Sequence, residues 1–150
     1  MADTDLIKLY SGRILELASD IPFVERLETP QATVKKRSPL CGSTVTVDVV
    51  VENGKISAFG QDVKACALGQ ASASVLGASI IGRTSGEIDA ARDQLRAMLK
   101  NDGPVPLAPF DGYEVLLPAK EFINRHASIM LALDATAEAV REAENKENCA

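Results

Sequence analysis

The chain has 150 residues, of which 46% are hydrophobic and 25% charged, and its formal net charge is -5 at pH 7. A chain of this length fits one domain and buries roughly 70% of its unfolded surface, so it needs neither a disulfide nor a metal merely to fold. The acidic balance argues against nucleic acid, which requires a basic face, and no run approaches the roughly eighteen apolar residues of a membrane span.

The N-terminus, with Asp3 and Asp5, lacks the basic and apolar order of a signal peptide, so a cytoplasmic address is expected. The three cysteines are an odd number, which makes reduced thiols the default over a disulfide framework. A lone histidine, His126, makes any imidazole chemistry easy to locate.

Between Asp5 and Ala18, Ile7, Tyr10, Ile14 and Leu17 recur at helical spacing, with Asp3 or Thr4 as cap and Gly12 as a weak point. From Ser19 to Pro39 the period is lost and prolines punctuate the chain, which reads as a loop carrying the basic run Lys35-Lys36-Arg37. From Thr44 to Val51 the residues alternate, Val45, Val47, Val49 and Val51 against Thr44, Thr46 and Asp48, which predicts a half-buried strand. Asn53-Gly54 is a strong hairpin signal because both residues tolerate positive φ. A second strand, Lys55 to Phe59, and a short third, Asp62 to Ala65, are expected to complete an antiparallel meander.

A helix rich in Ala, Gly and Ser follows Cys66 and runs to about Ile81, where Gly82 ends it. Thr84-Ser85-Gly86-Glu87 has capping-box spacing and opens a helix through Ile88, Ala91, Leu95, Met98 and Leu99, which stops at Asn101-Asp102-Gly103-Pro104. After a Pro-rich connection and the short apolar piece Tyr113 to Leu117, the last helix begins near Lys120. It places Phe122, His126, Ile129, Leu133, Ala137 and Val140 on one stripe. A polar tail from about residue 144 is expected to fray, leaving Cys149 as an exposed thiol outside any site. Strands followed by helices without alternation predict one α+β domain over residues 1–150, a three-stranded antiparallel sheet with helices packed on one face.

Chemistry concentrates at Cys66, where an extended segment hands over to a helix. There a thiol faces unpaired N–H groups and the positive end of the helix dipole, which favours the thiolate. Cys41, before the valine-rich strand, and His126, in the first turns of the last helix, are the other chemically active side chains. Strand topology alone does not bring the three together.

Their order along the chain carries a resemblance. Cys41-Gly42-Ser43, the valine-rich strand, the Asn53-Gly54 hairpin, Cys66 followed by Ala71-Ser72-Ala73-Ser74, and a late helix opening at His126-Ala127-Ser128 resemble the U-type scaffold family of iron-sulfur cluster assembly. The resemblance implies an α+β fold that gathers three cysteines and an aspartate at one end to hold a transient [2Fe-2S] cluster, iron or zinc. Carried over by position, those cysteines fall on Cys41, Cys66 and His126, and the aspartate on Ser43. The neutral hydroxyl and the imidazole lower the ligand charge by two units relative to the family pattern, although mixed Cys and His ligation is ordinary for zinc and His is tolerated at [2Fe-2S] centres.

The resemblance also implies a cysteine desulfurase and acceptor apoproteins as partners, a monomer or weak homodimer, and a carrier of sulfur or metal in place of an enzyme. Arg125 beside His126 is read first as a surface residue, with steering of an anionic sulfur species or holding of a partner carboxylate as its functional alternatives. Two alternatives stand beside it: a Cys-His nucleophilic enzyme with Cys66 as nucleophile and His126 as base, and a structural zinc protein regulating a desulfurase.

Overall fold

Alternating valines build the centre of the sheet. In the computed structural model, which describes residues 12–39 and 42–149 with side chains to residue 146, β1 (Ala32–Arg37), β2 (Thr44–Glu52) and β3 (Lys55–Lys64) form one antiparallel sheet in that order. Val45, Val47, Val49 and Val51 are all buried, each contributing about 1.5–3 kcal/mol by leaving water. Asn53 and Gly54 both adopt positive φ, 55° and 77°, as the two-residue turn between β2 and β3 requires.

The fold class is as expected, three antiparallel strands with helices, but the strands are differently drawn. Residues 32–37, expected as loop, are the edge strand β1, and the two short strands expected over 55–65 are one continuous strand, β3. The interruption at Gly60 has a tertiary cause. A Cβ there would sit 2.5 Å from the Glu25 carbonyl oxygen, so glycine marks a close approach of a second backbone within an unbroken strand.

That second backbone is the stretch Glu25-Arg26-Leu27, which lies on the Asp48 side of the sheet, away from the buried valines. Asp48, expected on a solvated face, is fully buried there. It accepts hydrogen bonds from Arg26 Nε at 2.5 Å and Nη2 at 3.1 Å, from the Leu27 N–H at 3.1 Å and from the Thr33 hydroxyl at 2.6 Å. Gln61, on the valine side of the sheet, holds the start of this loop against the helices, its amide donating to the carbonyls of Pro22 and Ala73.

The helices are α1 (Gly12–Ser19), α2 (Ala67–Ser79), α3 (Ser85–Lys100) and α4 (Ile123–Cys149), with a run of 3-10 turns over Asp111–Glu121 before α4. The expected residues Ile7 and Tyr10 of the first helix lie outside the described residues, as do the side chain of Cys149 and all of Cys41. α2 is buried on nearly every side, from Leu68 to Gly77, and its small residues let neighbouring chain come close. A Cβ on Gly69 would meet the Ser128 hydroxyl at 2.8 Å, and one on Gly77 would meet Pro22 at 3.0 Å. α3 opens on the expected capping box, Thr84 accepting from the Glu87 N–H while Glu87 accepts from the Thr84 N–H. α4 lies across β1 and β2 and packs on α2 and α3. It extends through residues 144–149, and Lys146 Nζ reaches the Gln31 carbonyl at 2.6 Å.

Candidate functional site

The register of the β2–β3 hairpin sets the site. Thr44 pairs with Lys64, so Ser43, one residue before β2, arrives beside Ala65 and Cys66, just beyond β3. Read as two short strands, this region left the start of the first strand and Cys66 unconnected; as one long strand it returns the chain to where β2 began. Ser43 also precedes Val45 by two residues, which puts it on the sheet side that faces the helices. The turn from β1 closes at the same end. Gly42 donates to the Ser38 carbonyl and Ser38 to the Ser43 carbonyl, both at 2.8 Å, and Gly42 takes φ +68°, a conformation open to glycine at no steric cost.

Cys66 is the N-cap of α2, with extended backbone at φ -66° and ψ 170°, and it is half-buried. Burial pushes its thiol up. The Gly69 N–H, the Ser128 hydroxyl, the Leu68 N–H and the charge of Arg125 together outweigh that effect, and the thiol lies below its ordinary value. The two N–H groups belong to the second and third residues of the helix, the positions an N-cap side chain addresses. The sulfur makes no full cap hydrogen bond, so these donors act as oriented dipoles near a large, diffuse anion.

The third element at the site is α4, and the residue it contributes is Ser128. Its Oγ lies 3.6 Å from Cys66 Sγ and donates to Ser43 Oγ at 2.9 Å. Ser128 and Ser43 are buried, 1% and 4% exposed. A hydroxyl has one proton to give. While Ser128 gives its proton to Ser43, the Cys66 S–H is the donor towards Ser128. When Cys66 ionises, Ser128 turns its proton to the sulfur and Ser43 donates in its place.

His126 faces elsewhere. Its Nε2 lies 3.0 Å from the Ala119 carbonyl and 3.1 Å from that of Lys120, in the 3-10 run that leads into α4. Both partners are acceptors, so Nε2 is the donor. Nδ1 is buried without a hydrogen-bond partner among the described residues, and neither ring nitrogen bonds the Cys66 sulfur. Residues two apart on a helix point to different sides, and here position 128, not 126, looks at Cys66. The Cys66–His126 contact that a nucleophile and base would share is therefore not formed.

Of the expected site residues, the structure thus brings Cys66 to the end of the sheet beside Ser43, places His126 against backbone carbonyls, and leaves Cys41 outside the described residues. Ser128 was not singled out in the sequence. A serine carries no chemical signal, and its helix showed one apolar stripe that did not include it. The small residues Gly69 and Ser72 on α2 were the available clue: Ser72 Oγ donates to the Ile129 carbonyl at 2.6 Å, so both helices meet there at close range. Among the described residues no group of three His, Cys, Asp or Glu side chains is placed to hold a metal ion.

No family model matches the chain, and no curated protein does. Solved structures do. A nitrogen-fixing NifU-like protein (N-terminal) from Brucella abortus is 42% identical over 95% of this chain and 99% of its own, with a TM-score of 0.91. A candidate iron-sulfur cluster assembly scaffold protein for the SUF system, from the thermophile Fervidobacterium islandicum AW-1, is 21% identical, covering 89% of this chain and 98% of its own at a TM-score of 0.79. A hypothetical protein is 23% identical, with coverage of 90% and 98% and a TM-score of 0.77. The last two show likeness of fold alone.

Proposed function

This chain belongs to the U-type, NifU N-terminal-like, scaffold family of iron-sulfur cluster assembly, and we propose that its part in that work is to receive sulfane sulfur on Cys66. The observation that carries the reading is the setting of that sulfur: a half-buried helix N-cap whose surrounding donors and the nearby Arg125 hold the thiol below its ordinary value. The thiolate is the nucleophile that sulfur transfer needs, and a lowered value enlarges its share.

The step balances without an added oxidant. The Cys66 thiolate attacks the terminal sulfur of a donor protein's persulfide, the donor's S–S bond breaks, and a new S–S bond forms on Cys66. The donor cysteine leaves as a thiolate with the electron pair of the broken bond. Ser128 and the N–H groups of Leu68 and Gly69 stabilise the anion before attack and the terminal sulfur afterwards, and Arg125 attracts the anionic partner. The donor is a cysteine desulfurase and the recipients are apoproteins, met in the cytoplasm. Iron and a [2Fe-2S] cluster are cargo built on the delivered sulfur, with Cys41 as the second thiolate.

The test uses the reduced full-length chain, a cysteine desulfurase and free cysteine, followed by intact-protein and peptide mass spectrometry. The expected product carries one added sulfur on the peptide containing Cys66, and Cys66→Ser abolishes it while Cys41→Ser leaves the first transfer in place. Sulfur uptake by Cys66→Ser at the rate of the unmodified chain would refute the proposal.

A further inference from the structure

A site built to keep a divalent ion has a recognisable chemistry: charged or soft donors converge, and without the ion their lone pairs lack partners. Among the described residues, the side chains beside the sulfur, Ser43 and Ser128, supply neither feature. The two side chains that meet the sulfur end of the sheet and helix α4 are the hydroxyls of Ser43 and Ser128, which are neutral and satisfy each other at 2.9 Å. Neither is orphaned. The imidazole two residues earlier on α4 has its Nε2 committed to the carbonyls of Ala119 and Lys120, and its Nδ1, buried without a partner among the described residues, makes no hydrogen bond to the Cys66 sulfur.

We infer that Ser43 and Ser128 line the Cys66 centre with two neutral hydroxyls that add no ligand for a divalent ion and so weaken its hold on one, and that His126 serves to fasten the start of α4 to the preceding 3-10 run. The inference rests on the family membership stated above and narrows the proposed function: in this chain positions 43 and 128 contribute no ligand to an ion at Cys66. A carboxylate at position 43 and a thiolate at position 128 are the changes that would convert it. Ser128 already meets the Cys66 sulfur and Ser43 meets Ser128, so both changes fall within one cluster of side chains. Zinc is tetrahedral and takes thiolate, imidazole and carboxylate ligands, and serine hydroxyls stand outside that set.

Zinc alone is the probe, titrated anaerobically into the reduced full-length chain in competition with a chromophoric chelator. Ser43→Asp combined with Ser128→Cys should bind one zinc per chain about 100-fold or more tighter than the unmodified chain, since each structural ligand carries a large share of a zinc site's affinity. Ser128→Cys alone, a change of one atom, should give part of the gain and guards against misfolding of the double variant. His126→Ala should leave the weak binding of the unmodified chain unaltered. The inference is overturned if the unmodified chain binds as tightly as the double variant, if neither substitution raises affinity, or if His126→Ala removes binding. Sulfur acceptance is read separately by mass, so loss of that activity would sink the proposed function while leaving this result standing.

Discussion

Replacing Asp48 by Asn tests whether the loop over the second sheet face is held by one buried carboxylate. The Asp48 side chain is fully shielded, whereas that of Arg26 is half exposed, and both guanidinium contacts end on the same group. Breaking a fully buried pair costs about 3–5 kcal/mol. Exposure of Arg26 lets water take over part of its role, which places the loss near the lower end, about 3 kcal/mol. An Asn amide also presents N–H to donors at Arg26, Leu27 or Thr33, so one of those contacts turns repulsive. For a chain of this size the melting temperature should fall by about 6–12 °C.

The pH dependence gives an independent check. Burial pushes the Asp48 carboxyl up, but hydrogen bonds from Arg26, Thr33 and Leu27, with the charge of Arg26, hold it below the ordinary carboxylate value. A group with a depressed native value contributes its full stability above the unfolded value, and that contribution is lost as pH falls through the native one. The unmodified chain should therefore lose stability on acidification from about pH 4 downwards, and Asp48→Asn should have a flatter acid limb. Urea melts at a series of pH values measure both. A variant within about 0.5 kcal/mol of the unmodified chain, the usual range of a neutral surface substitution, or one with the same acid limb, would refute this account of the loop.

Two further outcomes follow from local geometry. Gly69→Ala adds a Cβ 2.8 Å from both the Ala65 Cβ and the Ser128 Oγ; overpacking of about 1–3 kcal/mol less about 1 kcal/mol of helix propensity predicts a modest net destabilisation by thermal melting. The displaced Ser128 hydroxyl should also slow iodoacetamide alkylation of Cys66 at neutral pH, and an unchanged rate would remove Ser128 from the account of that thiol. Thr84→Ala breaks the capping box of α3 and should cost about 1 kcal/mol; a melting temperature within error of the unmodified chain would mean that the cap does not limit stability.

How much was legible in the sequence depended on whether the cause was local. The valine alternation, the Asn53-Gly54 turn and the Thr84–Glu87 box are local devices, and each appears where its residues stand. β1 has only Ala32 and Val34 buried on its inner side, and prolines bracket it, so its pairing to β2 comes from tertiary contact. Gly60 looked like a break because the backbone that requires it, near Glu25, lies far away in sequence. The same error hid the site. With β3 divided at Gly60, Cys66 had no route to the start of β2; with β3 whole, the pairing of Thr44 with Lys64 delivers it.

At α4 the sequence singled out a different residue. His126 was the only histidine and drew the third position to itself; in the structure its Nε2 meets the carbonyls of Ala119 and Lys120, and the residue beside the Cys66 sulfur is Ser128. A helix buried along most of its middle, from Ile129 to Ala143, has no single inward stripe, so the apolar period cannot rank residue 126 above 128. What decides between them is the close approach of α2, which only glycine and serine at positions 69 and 72 permit. That approach and the hairpin register are properties of backbone, and they fix where positions 43, 66 and 128 meet whatever side chains stand there. A TM-score of 0.91 to the NifU-like neighbour therefore speaks for the meeting place and not for its donors. The hydroxyls of Ser43 and Ser128 satisfy each other there at 2.9 Å, and Ser43→Asp with Ser128→Cys is expected to change what the centre can hold without asking the fold to move.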